Sequence, residues 1–271
     1  MSEKNEVGID DFARANQRHW EKCVKDGEGC TIPWLDLDPD LLRRFGAGEL
    51  DPVPEPLAAR GFAEKFPGNM LAGVQGKDVL CLAAGGGQQS AVFGLLGARV
   101  TVVDIARGQL EGDRKAAAHY GYEVTTIHAD MRDLSALPEE SYHIVYTTGL
   151  CYVPDIRQVY AEVGRVIRPG GTLRLDVGNP ALQFVAWDGE GYRITKPYCE
   201  VIQHREDGAF EFRHYMDDIF GGLLDAGFSL GLVVDPCRDR KPAPDAVPGS
   251  WPHEEAYVGM GGCVILAKKD L

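Results

Sequence analysis

Residues 79–104 read VLCLAAGGGQQSAVFGLLGARVTVVD. One apolar run ends in three consecutive glycines, Gly85, Gly86 and Gly87, and the next ends in Asp104. The pattern predicts a buried strand (DVLCLA), a glycine turn, a helix (QQSAVFGLLG) and a second strand (RVTVVD). In an open α/β sheet, ligands bind beyond the carboxyl ends of the strands, where the topology reverses. A turn without side chains lets backbone approach a ligand closely. A carboxylate at the second strand end can accept both hydroxyls of a ribose.

The alternation continues outward from this stretch. RGQLEGDRKAAAHYG is a helix closed by Gly121, YEVTTIHAD a third strand ending at Asp130, and YHIVYTT a fourth with Thr147 to Gly149 after it. The helix DIRQVYAEVGRVIR follows, and Pro169-Gly170-Gly171 turns into a fifth strand, TLRLDV. This β-α-β-α order implies a parallel sheet covered on both faces. YRITKPYCEVIQHREDGAFEFRHY reads as a β-hairpin or meander turning at Glu-Asp-Gly. MDDIFGGLLDAGF is a helix, and FSLGLVVD and GGCVILAKK are the last two strands. On the N-terminal side, residues 10–25 form an amphipathic helix with Phe12, Ala15, His19, Trp20 and Cys23 on one face. CTIPWLDLDPD reads as a Pro-broken connection, and residues 54–66 as a short helix. Residues 236–256 hold five prolines without periodicity, so a functional or mobile loop is expected there.

Composition narrows the partners. The chain has 271 residues, is 44% hydrophobic and carries a formal net charge of −13. Such a field repels a phosphate backbone, so nucleic acid is disfavoured. No apolar run approaches the roughly 20 residues of a membrane helix. The polar, acidic start MSEKNEVGIDD is not expected to be a secretory signal. Seven cysteines without a CxxC pair suggest neither a disulfide framework nor a zinc knuckle, and no metal site is predicted. A cytoplasmic protein, monomeric or homodimeric, is the expectation.

Gly85-x-Gly87 is followed by Gln88, Gln89 and Ser90, so the third glycine of a dinucleotide fingerprint is missing. The stretch 78–177 instead resembles the core of class I S-adenosylmethionine (SAM)-dependent methyltransferases, particularly the small-molecule branch with the ubiquinone and menaquinone C-methyltransferases. The resemblance rests on VLCLAAGGGQQS, VTVVDIARGQL, HADMRDLS, YHIVYTTGLCYVPD and VGRVIRPGGTLRL. It implies a doubly wound, seven-stranded, mostly parallel Rossmann-like α/β sheet whose last strand is antiparallel. An N-terminal helical lid (1–76) would precede the SAM-binding domain (77–271), which would carry a β insertion at about 180–214. By carry-over, Ala83, Gly85 and Gly87 would line the methionine part of SAM; Gln88, Gln89 or Ser90 would supply the polar contacts in place of the family's acid. Asp104 would hold the ribose and Ile105 would lie against adenine. Asp130 would accept from the adenine amino group, Met131 would pack on the ring, and Thr147 and Gly149 would floor the site. Cys81 stands where the family often has an acid, and Ala83 where it has glycine.

Methyl transfer from a sulfonium needs positioning more than a fixed motif, and a base only where the acceptor must lose a proton. His214 is the candidate base, because histidine titrates near neutral pH, and Tyr152 is a candidate orienting hydroxyl. His19, Trp20, Tyr192, Tyr215 and Trp251 are the candidate acceptor-binding residues. The acceptor is expected to be a small molecule, with S-adenosylhomocysteine (SAH) as the second product. An NAD(P)-dependent oxidoreductase and a non-catalytic SAM-binding protein are the alternatives.

Overall fold

The computed structural model describes residues 10–238, 241, 244–259 and 262–271. A helix α1 (Asp11–Asp26) opens it, capped by the Asp10 side chain on the Ala13 amide and closed by Gly27. Three short helices follow: α2 (Pro39–Gly46), α3 (Glu55–Ala58) and α4 (Phe62–Lys65). The core then alternates β1 (Asp78–Leu82), α5 (Gln89–Leu95), β2 (Arg99–Asp104), α6 (Arg107–Tyr120), β3 (Val124–His128), β4 (Tyr142–Thr147), α7 (Ile156–Val166) and β5 (Ile167–Val177). Two small hairpins come next, β6 (Val185–Trp187) with β7 (Tyr192–Ile194), and β8 (Ile202–His204) with β9 (Phe210–Phe212). A π-helical turn at Asp217–Gly221 leads into α8 (Gly222–Asp225), β10 (Phe228–Val234), α9 (Trp251–Val258) and β11 (Cys263–Lys269).

The seven-stranded sheet has the order β10-β11-β5-β4-β1-β2-β3, and β11 runs antiparallel to both its neighbours. The expected fold is therefore present. Chain direction across the sheet reverses between β1 and β4, so their carboxyl ends open a crevice. Successive side chains of β1 point to opposite faces, which is why the run VLCL is apolar throughout. Leu80 and Leu82 pack with Val145, Ile156 and Tyr160 on one face. Val79 and Cys81 pack with Phe62, Phe66, Phe93 and Tyr146 on the other. Cys81 is a small buried hydrophobe here.

Four local readings change. Asp38 caps α2 and Pro39 occupies its first turn, so the DPD of the supposed connection is a helix start. The helix read over 54–66 is two helices, because Gly61 adopts a left-handed conformation between them. The Pro169-Gly170-Gly171 segment is a bulge within β5, with a register jump opposite Tyr142 and Ile144, rather than a turn before the strand. Glu-Asp-Gly does turn the β8–β9 hairpin, but Tyr192–Ile194 pairs with the earlier β6. The Pro-rich stretch ends in α9, with Pro252 at its N-terminus, where a missing N–H costs nothing.

Candidate functional site

The carboxyl ends of β1, β2, β3 and β4 open into a cavity of about 820 Å³. Its floor comes from Ala83, Ala84 and Gly85 after β1, Asp104 and Ile105 after β2, Ala129 to Arg132 after β3, and Thr148 and Gly149 after β4. Its cover comes from the N-terminal segment. Ala13, Asn16 and Trp20 of α1 face it, followed by Gly29, Cys30 and Trp34.

The cover is tied down by polar side chains. Asn16 donates to the carbonyls of Tyr152 and Phe210 (2.9 and 3.0 Å) and accepts the Phe210 amide (2.7 Å). Gln17 donates to the Ile105 carbonyl at 3.0 Å. Glu21 accepts the amides of Arg107 and Gly108 at the start of α6, where the helix dipole favours a carboxylate. Arg132 bridges Asp130 (2.6 Å) and Asp10 (2.8 Å), joining the β3 loop to the cap of α1. Gln88 donates to the carbonyls of Gly29 and Ile32, closing the segment onto the glycine turn.

The glycines divide their work. Gly85 lines the cavity at φ +81°, and a Cβ there would lie 3.1 Å from the Cys30 carbonyl oxygen. Gly87 lies outside the cavity lining, which corrects its expected place against a ligand. A Cβ on Gly87 would sit 2.5 Å from the Gly112 carbonyl oxygen, so this glycine lets α6 pack against the turn. The turn's amides are likewise occupied from α6. Gln109 accepts the Gly86 N–H and Asp113 accepts the Gly87 N–H, both at 2.8 Å. Gln109 and Asp113 were missed from sequence. Their signal was two polar residues four apart on a helix face that otherwise buries Leu110, Ala116 and Ala117.

Two buried carboxyls stand out. Asp104 lines the cavity with Oδ1 on the Ala106 amide at 2.7 Å, and burial pushes its pKa up to about 7. Burial likewise pushes Asp113 up to about 7, although it accepts from Ser90 and Gly87. A carboxyl whose folded pKa lies above its unfolded value contributes stability below the unfolded pKa, and that stability is lost as pH rises through the folded pKa. For Asp113 the loss runs from about pH 4 to about pH 7. Asp113→Asn keeps the accepting oxygen and removes the charge. The variant's stability relative to the parent is expected to be greater at pH 8 than at pH 5 in urea unfolding. A stability difference that is the same at both values would refute this.

Of the other candidates, Ala83, Gly85, Gln88, Asp104, Ile105, Asp130, Met131, Gly149, Tyr152 and Trp20 all line the cavity. Ala83 sits at φ +45°, a left-handed conformation that glycine adopts without strain. The Asp130 carboxylate is shared with the Arg132 guanidinium and backbone amide, so a ligand would compete for it. Thr147 is buried in β4 and leaves the floor to Thr148, whose hydroxyl donates to the Ala83 carbonyl. Strand alternation turns Thr147 inward at the position where sequence alone places it on the floor.

His214 is also corrected. It is buried, with Nε2 2.9 Å from the Leu150 carbonyl, and is not part of the cavity lining. Burial lowers its pKa, so it is neutral and braces the turn that carries Cys151 and Tyr152. His19 turns instead toward Cys23 and toward Asp207 of the β8–β9 turn. Tyr192 bonds His253 at 2.6 Å within an aromatic group with Trp187, and Tyr215 bonds the Tyr198 carbonyl. Neither tyrosine lines the cavity. Trp251 begins α9, and its side chain lies outside the described residues. The helical period selects the correct helix α1, but its inward face is Ala13, Asn16 and Trp20 rather than His19.

A parallel sheet with an antiparallel final strand, and a covered cavity over the β1–β4 crevice, define an α/β fold of the nucleotide-binding type. A methyltransferase-domain family matches residues 80–175. The chain is 30% identical over 245 residues to the uncharacterized methyltransferase YbaJ of Bacillus subtilis, covering 81% of this chain and 92% of that protein. It is 26% identical over 245 residues to a ubiquinone biosynthesis O-methyltransferase of Xanthomonas axonopodis, covering 86% of each. Among solved structures, geranyl diphosphate C-methyltransferase from Streptomyces coelicolor matches at a TM-score of 0.62 and 15% identity, over 98% of this chain and 100% of that one. A SAM-dependent methyltransferase from Mesorhizobium loti matches at 0.56 and 20% identity, over 72% and 92%. At these identities the solved structures speak for the fold. The chain belongs to the class I SAM-dependent methyltransferases, and SAM is its cofactor.

Proposed function

We propose that this methyltransferase alkylates a small-molecule acceptor held in the same cavity as the donor. The carrying observation is a partly covered cavity. About 820 Å³ lies beneath α1 and the segment after it, within the ~300–1,000 Å³ usual for small-molecule sites. A nucleic-acid acceptor would need an open, cationic approach, and the net charge is −13.

The lining suits the donor. Ile105 and Met131 offer apolar contacts for adenine, and Asp104 offers a carboxylate for the ribose hydroxyls. Gly85 leaves the turn open for the methionine part, beside Ala83, Gly149 and Gln88. When bound, SAM supplies a methyl group on an electrophilic sulfonium. The protein's task is then to hold the acceptor's lone pair in line and keep water out.

Tyr152 lines the cavity, with its ring 5.3 Å from Trp20. Burial pushes its pKa above the usual tyrosine value, so its hydroxyl orients an acceptor as a donor. His214, braced away from the cavity, is not retained as the base. Asp176, at the end of β5, also lines the cavity.

Incubation with methyl-labelled SAM and a cell extract, followed by dialysis, tests the reading. The label is expected in the dialysable fraction. Label confined to protein or nucleic acid would contradict a small-molecule acceptor.

A further inference from the structure

Among the described residues, three cations line the cavity: Arg60, Lys65 and Arg132. Arg132 is paired with Asp130 and Asp10, and Arg60 donates to both carboxylate oxygens of Asp36 at 2.7 Å. Lys65 differs. Its ammonium donates to the Arg60 carbonyl at 2.5 Å and lies 5.3 Å from the Trp34 ring centre, with no carboxylate within 4.0 Å among the described residues. Asp176, the nearby acid in the lining, is already committed to the buried Arg174. The adjacent Glu64 acts on Lys65 through space, but no ion pair within 4.0 Å joins them among the described residues. Burial lowers the Lys65 pKa, outweighing the pull of Glu64 and Asp176. An ammonium has three donors, and one is accounted for here.

We propose that Lys65 is the docking point for an anionic group, carboxylate or phosphate, on the methyl acceptor. This rests on the small-molecule reading above and narrows the acceptor to an acidic metabolite. The α1 end of the cavity, with Asp104, Ile105 and Met131, is suited to the nucleoside, so Lys65 beside Asp176 is left to hold the acceptor. A half-buried ammonium gains from an anion that arrives with the substrate, because both charges are then compensated partly away from water.

The test takes the labelled product from the dialysable fraction and asks whether anion-exchange resin retains it at neutral pH. Lys65→Met and Lys65→Arg are then compared with the parent. An anionic product is expected. In Lys65→Met, KM for the acceptor should rise about 30-fold, with kcat changed less. Lys65→Arg should recover most of the loss, and SAH affinity and melting temperature should stay near the parent's. A neutral or cationic product, or an acceptor KM indifferent to Lys65→Met, overturns this inference and leaves the small-molecule reading intact. Weakened binding of SAH but not of methylthioadenosine, which lacks the amino acid, assigns Lys65 to the donor's carboxylate and also overturns it. Label found only in macromolecules overturns both readings.

Discussion

Asp104→Ala is expected to lower SAH affinity about 150-fold, the largest binding effect anticipated for one cavity residue. Two ribose hydroxyls donating to one carboxylate are each worth about 1.5–3 kcal/mol, as hydrogen bonds to a charged group are. Roughly 3 kcal/mol in total corresponds to a factor of about 150. The pH dependence carries independent information. The free carboxyl titrates near pH 7 because it is buried, and hydroxyl donors favour its ionised form. SAH should therefore bind more tightly at pH 8 than at pH 6, with proton release near pH 6.5. Calorimetry in buffers of different ionisation enthalpy reads both quantities. The Asp104→Ala protein should bind with little pH dependence and melt no lower than its parent, since the change removes a carboxyl that is costly to bury. Equal affinities in the two proteins would remove Asp104 from the ligand.

Gly87→Ala is expected to give the largest loss of stability. The residue sits at φ +84°, and its added methyl would lie 2.5 Å from the Gly112 carbonyl oxygen and 2.7 Å from Pro33. Backbone cannot move aside as a flexible side chain can. Left-handed backbone costs about 1–2 kcal/mol outside glycine, and overpacking adds about 1–3 kcal/mol. A total near 3 kcal/mol corresponds to a fall in melting temperature of roughly 6–12 °C. Displacing α6 would also pull Asp113 from the Gly87 amide, so SAH binding should weaken even where the variant folds. A melting temperature within about 2 °C of the parent would contradict the packing role given to this glycine.

The two results bear on what sequence could reveal. The strand ends were legible because alternation and glycine position are local properties. Gly85, Asp104, Asp130 and Gly149 follow from the strand ends, and Ala83, Ile105 and Met131 from the family resemblance; all seven line the cavity. What failed required knowledge of which helix meets which turn. Gly87 has the same sequence signature as Gly85, yet it serves the contact with Gly112. Thr147 and Thr148 differ by one step of strand alternation, which decides which of them lines the cavity. Aromatic and imidazole residues in the insertion looked like acceptor contacts by composition alone. His214 instead bonds the Leu150 carbonyl, and Tyr192 bonds His253. Lys65 was not legible, because an ammonium on a four-residue helix has no pattern until Asp36 and Asp176 are seen committed to other partners.

A crystal structure of the protein with SAH is the most direct test of the central claim, that the covered cavity over the β1–β4 crevice is the donor site. The predicted result has the ribose hydroxyls on Asp104, adenine between Ile105 and Met131, and the homocysteine beside Gly85 and Gly149, with Lys65 clear of its carboxylate. Density for SAH elsewhere, or in this cavity with the ribose turned away from Asp104, would contradict it.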